Sequence, residues 1–102
     1  MTPLACLRIP PGVQFERWQG ETEWVLYHSG TGATVRLSDA AVAVLDLLEH
    51  AGVMVEAGLV RGLNALMDNP LPEAEMGAAL AGLLSDLLSH ECIERVPCGL
   101  AT

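Results

Sequence analysis

The sequence predicts a small α+β domain of winged helix-turn-helix-like layout, an N-terminal antiparallel β-sheet followed by a three-helix bundle. Three observations predict it. Short runs of period-two alternation fill the chain up to Leu37. From Asp39 to His90 apolar residues recur at helical spacing, broken at Gly52 and at Asp68-Asn-Pro-Leu-Pro72. A last alternating run, Cys92 to Val96, follows and stops at Pro97. A chain of 102 residues makes one domain, able to bury roughly 65% of its unfolded surface. Its expected divisions are an N-terminal extension over 1–12, the domain itself over 13–97, and a tail over 98–102.

The elements follow in order. Leu4 to Ile9 reads as a short strand or as a segment lying across the sheet, ended by Pro10-Pro11-Gly12. Val13 to Trp18 alternates, with Val13, Phe15 and Arg17 on one side and Gln14, Glu16 and Trp18 on the other. Gln19 to Thr22 is a polar turn. Trp24-Val-Leu-Tyr-His28 is almost continuously apolar, which predicts a strand covered on both faces, with Trp24 and Tyr27 as core anchors. Ser29-Gly-Thr-Gly32 supplies a hairpin turn, its glycines free to take positive φ. In the next strand Ala33, Val35 and Leu37 face the core and Thr34 and Arg36 face out. Ser38 is a suitable N-cap, and Asp39 suits the dipole of a helix running to about Ala51. Val53 to Met67 reads as a second amphipathic helix, weakened by Gly58 and Gly62. Pro72 opens a third, with Glu73 and Glu75 at its start, His90 at its end and a wide leucine stripe between.

Composition excludes several classes of function. The chain carries 13 acidic and 5 basic residues, for a net charge of −8. The basic residues are Arg8, Arg17, Arg36, Arg61 and Arg95, scattered and without a lysine. Nucleic-acid binding rests on phosphate neutralisation by Lys and Arg. Base reading from a helix needs Arg, Lys, Asn or Gln, and Pro72 to His90 contains none of these. Nucleic acid is therefore not an expected partner. No run approaches the ~20 apolar residues of a membrane helix, and the opening residues do not read as a signal peptide, so a cytoplasmic, membrane-free protein is expected. Cys6, Cys92 and Cys98, odd in number, then predict reduced thiols with no zinc spacing. No phosphate loop and no supported nucleophile–base set stands out, so neither enzymatic activity nor a cofactor is expected. His28 is expected to pack at a strand end, with metal binding a minor alternative.

The run Trp24-Val-Leu-Tyr-His28, the strand ending Val35-Arg36-Leu37-Ser38-Asp39-Ala40-Ala41, then Val44-Leu45, Leu47-Leu48, Leu83-Leu84 and Cys92-Ile93-Glu94 resemble the PqqD family. The resemblance covers about Phe15 to Val96. Trp18, Trp24 and Tyr27-His28 are similar to the branch found in HPr-related gene systems. The linker Glu49-His50-Ala51-Gly52-Val53 departs from the family pattern by lacking the usual Thr or Ser cap before the second helix. The resemblance implies a peptide-binding chaperone, a recognition element for the leader of a ribosomally made precursor peptide. Such a module presents the leader to a modifying enzyme, often a radical SAM protein.

A leader can add a strand to an exposed sheet edge. The edge expected here is Ala33, Thr34, Val35, Arg36 and Leu37, with a groove wall from Leu80, Leu84, Leu87 and Leu88. Arg36 is placed to meet an acidic leader residue, and Val35→Pro is the substitution expected to remove an edge donor. The same leucines also read as plain core, and Arg36 as a solvated strand residue. The alternative function is a non-catalytic adaptor or regulator that binds a protein through its acidic helical face. An exposed edge also allows pairing of two copies into a homodimer.

Overall fold

In the computed structural model, residues 5–21, 23–67 and 71–97 are described. The chain forms a small α+β domain, as the sequence pattern predicts, with two antiparallel sheets and three helices. In chain order these are β1 (Ala5–Arg8), β2 (Phe15–Gln19), β3 (Trp24–His28), β4 (Thr34–Leu37), α1 (Asp39–Ala51), β5 (Val53–Val55), α2 (Glu56–Ala65), α3 (Glu73–Ser89) and β6 (Glu94–Pro97). One sheet has the order β2-β3-β4, with β3 central. The other has the order β5-β1-β6, with β1 central.

The sequence pattern marks strands near β1 and β6, but neither β5 nor the pairing of the three into a second sheet. β1 lies inside the stretch set apart as an extension, yet Leu7 is fully buried and the strand pairs on both sides. Cys6, Leu7 and Arg8 lie opposite Val55, Met54 and Val53 in β5, and opposite Val96, Arg95 and Glu94 in β6. β5 occupies residues expected to open the second helix. Gly52, at φ 86°, closes α1 with its amide on the Leu48 carbonyl at 2.7 Å. A positive φ there suits glycine and turns the chain out of the helix. The Val-Met-Val that follows then finds a strand partner, which β-branched residues favour.

α1 begins where its cap predicts, with the Ser38 hydroxyl accepting from the Ala41 amide at 3.2 Å. α3 ends in a Schellman arrangement. The Cys92 amide donates to Leu87 at 2.9 Å and the Glu91 amide to Leu88 at 3.1 Å. The left-handed residue that this motif requires is Glu91, at φ 58°, where glycine is usual. A side chain in that conformation costs about 1 kcal/mol or more.

The core joins both sheets to all three helices. Leu7, Leu26, Val44, Leu45, Leu48, Leu59, Leu80, Leu84, Leu87 and Cys92 are its fully buried members among the described residues. β3 is covered on one face only: Leu26 and His28 are buried, Val25 is half-buried and Tyr27 is exposed. Tyr27 is therefore an outer-face residue rather than a core anchor, and Trp24 is half-buried. Cys6 is disulfide-bonded, so the expectation of three reduced thiols does not hold, while Cys92 is free and buried. No described helix is long and apolar enough to cross a membrane. Burial distinguishes two leucines sharply. Leu7→Ala should cost about 2–5 kcal/mol in urea unfolding, while Leu66→Ala, at a residue 65% exposed, should stay within about 0.5 kcal/mol.

Candidate functional site

β4 is an edge strand, and its register decides which main-chain groups face outward. The His28 amide donates to the Ala33 carbonyl at 2.9 Å. Val35 lies opposite Leu26, and Leu37 opposite Trp24. In an antiparallel ladder, residues that bond to the neighbouring strand alternate with residues that do not. Val35 and Leu37 thus turn their N–H and C=O groups to β3, and Thr34 and Arg36 turn theirs away. No described strand pairs with β4 on that side. The sequence pattern marks β4 as an edge, which the topology shows, but Val35 is the wrong residue to probe that edge, because its amide is committed to β3.

The side chains of β4 split as expected, with Val35 and Leu37 buried and Thr34 and Arg36 exposed. Ala33, expected to face the core, instead precedes the strand and is exposed, because the turn residues before Thr34 lie outside the packed sheet. Arg36 pairs with Glu23 at 3.5 Å. Both groups are wet, so the pair contributes little and leaves the guanidinium accessible.

A cavity of about 370 Å³ opens where β4 passes into α1. Its walls are Asp39, Ala40 and Ala43 of α1, Leu63, Leu66 and Met67 around the end of α2, Leu71, and Met76, Ala79 and Leu83 of α3. Asp39 is the one charged group in that lining. Its carboxylate accepts from the Trp24 indole N–H at 2.7 Å, so the residue at the helix start also ties β3 to α1. Leu66 and Met67 continue the stripe of α2 past its end and are exposed, as is Leu71. Asn64 holds this rim together: its side-chain amide donates to the Leu71 carbonyl and accepts the Leu71 amide, each at 3.3 Å. Nothing in the spacing of Asn64 marks it in advance.

The expected groove leucines are placed differently. Leu80, Leu84 and Leu87 are at most 1% exposed and face the core, so a peptide could reach them only by opening it. Leu88 is half-buried and lines a separate hollow with His28, Gly30, Thr31 and Glu91. α3 offers the cavity Ala79 and Leu83, one helical step round from the core row, together with Met76 at the start of that row. The leucine stripe was too wide for spacing alone to divide core from surface.

His28 is the one polar residue buried among the described residues. Its Nδ1 accepts the amides of Gly30 at 2.9 Å and Thr31 at 3.1 Å. Two N–H groups aimed at Nδ1 make it the acceptor, so Nε2 carries the proton and donates to the Glu91 carbonyl at 2.7 Å. The Phe15 ring meets the imidazole edge-on, with centroids 5.3 Å apart. Among the described residues no cluster of three or more His, Cys, Asp or Glu could hold a metal ion.

No family model and no curated protein matches the sequence. The fold is similar to a solved structure of TbiB1 in complex with the TbiA(beta) leader peptide. The two share a TM-score of 0.63 and 22% sequence identity, over 85% of this chain and 94% of that one. At that identity the likeness is one of fold.

Burial gives one titration consequence. Desolvation pushes the Cys92 thiol from near 9 up to about 11. The folded state therefore keeps a proton that the unfolded chain releases as pH rises through 9, and stability falls between those two values. Urea unfolding of the parent should show this alkaline loss, and Cys92→Ala should lack that part of it.

Proposed function

We propose that this chain is a recognition element that binds the leader of a precursor peptide as a strand added to β4. The observation that carries the reading is the open edge at Thr34 and Arg36, lying next to an apolar cavity. The exposed main-chain groups can hold any extended peptide, and an apolar side chain of that peptide can enter the cavity beside Leu66 and Leu83. A domain of the same fold holds a leader peptide, which supports the reading. The resemblance to the PqqD family supports it from the sequence side.

In this reading the domain presents the bound leader to a modifying enzyme, with a radical SAM protein as the expected class, and performs no catalytic step itself. The charge of the site bears on the leader. Asp39 stands in the cavity wall, Glu73 and Glu75 are exposed at the start of α3, and the whole chain carries −8. A leader with basic residues beside its apolar anchor fits that end, while Arg36 offers one cationic contact nearer the middle of the edge.

Titrating the labelled protein with precursor peptides encoded beside its gene tests the reading. Amide shifts should gather at Thr34 to Leu37 and around the cavity, at Ala40, Leu66 and Leu83. Shifts confined to other helical faces would favour the adaptor reading instead. Loss of the edge amides into a self-associated species would indicate pairing of two copies.

A second test separates main chain from side chain. Arg36→Ala and Arg36→Pro both remove the guanidinium, but only the proline removes the outward amide. Edge strands accept proline at such positions. Arg36→Pro should bind roughly tenfold more weakly than Arg36→Ala, as expected where a peptide carbonyl loses its partner. Val35→Pro should instead reduce the melting temperature, because it breaks the bond to β3.

A further inference from the structure

We infer that His28 is a positioning residue for the peptide-binding edge, a clamp that fixes where β4 begins relative to the end of α3. The inference rests on the reading of β4 as the binding edge and adds the device that holds that edge in place.

Both ring nitrogens are used, and each holds a different part of the fold. Nδ1 gathers the amides of Gly30 and Thr31, the inner residues of the turn that leads into β4. Thr31 passes the constraint on, its hydroxyl accepting the Ala33 amide at 3.2 Å. Nε2 holds the Glu91 carbonyl at the end of α3. Among the described residues this is the one hydrogen bond between sheet β2-β3-β4 and the segment joining α3 to β6.

Two independent features meet at the ring. Glu91 keeps a positive φ that glycine would adopt more easily, and in that conformation its carbonyl lies on His28. A Cβ placed on Gly30 would come within 2.8 Å of the imidazole Cε1, so the turn is closed tightly over the ring. The edge-on contact with Phe15 confines it from β2. At the opposite end of β3, Trp24 is tied to Asp39, so β4 is located at both ends through its neighbour.

Two half-mimics separate the ring's functions. In His28→Asn the side-chain oxygen stands near the position of Nδ1 and can keep the turn, while the link to Glu91 is lost. In His28→Gln the amide nitrogen reaches toward Glu91, while the turn loses its acceptor. A nitroxide on Ser85→Cys, an exposed α3 position, reports the distance to β4 in the free full-length chain through paramagnetic broadening. In both variants the broadening at Thr34 and Arg36 should depart from the parent, with smaller changes at Trp24 and Leu37. The precursor peptide that binds the parent should bind each variant about tenfold more weakly, the scale of one lost buried hydrogen bond, although the variants still melt cooperatively.

Gly30→Ala serves as a third variant. It displaces the ring without deleting a hydrogen-bonding group, and it should move the same amides if the His28 variants do not fold. Parent-like broadening at Thr34 and Arg36 in a folded variant overturns the clamp, and so does parent-like affinity. Should no peptide bind the parent, the leader reading fails, and the broadening in the free protein still decides whether the ring locates β4.

Discussion

The usable edge of this protein depends on its sheet being held from one face only. Sheet β2-β3-β4 is mounted through side chains on its inner face: Arg17 to Asp46 and Glu49 of α1, Trp24 to Asp39, and His28 to Glu91. β4 contributes no polar tie to the helices from its inner face, only the buried Val35 and Leu37. Its position is inherited from β3, and its outward main chain is left unused. The energetic division is clear. Exposed ion pairs contribute about 0–1 kcal/mol each, whereas burying a Val or Leu side chain is worth about 1.5–3 kcal/mol. The aliphatic contacts hold the sheet down, and the polar ties orient it.

Much of that sheet was legible in the sequence, because alternation over short runs has one simple reading. Phe15 and Arg17 share one face, as the alternation groups them, and Val35 and Leu37 point inward as expected. The Ser38 cap and the stop at Gly52 gave α1 its limits. The pairing of the second sheet was hidden for a physical reason, although its first and last strands were marked. Its strands have three or four residues, too few for a pattern to say which pairs with which, and each draws its partner from far along the chain. Val53 to Val55 looks like helix when read with Leu59 and Leu63, and becomes strand because β1 is there to receive it.

The candidate site was legible as a strand and illegible as a cavity. Thr34 and Arg36 follow from alternation alone. The α3 wall does not, since Leu80, Leu83, Leu84, Leu87 and Leu88 form a stripe wider than the face that is actually buried. Packing by α1 and α2 decides that Leu84 belongs to the core and Leu83 to the cavity. His28 presents the reverse case. A lone histidine at a strand end gives no sign of its role, which comes from a turn two and three residues onward and from a carbonyl at the far end of α3.

The arrangement of β5-β1-β6 also sets the order in which the molecule can be completed. The β2-β3-β4 meander is local in sequence, and its loops close over a few residues at small entropic expense. β1 has to wait for residues 53–55 on one side and 94–97 on the other. On the ribosome all three strands of the meander have emerged once Leu37 is out, whereas Leu7 meets its first strand neighbour only with residues 53–55 and its second with residues 94–97. The two sheets of one small domain thus run on separate clocks, and the apolar N-terminal strand is the part that a nascent chain must keep from other company longest.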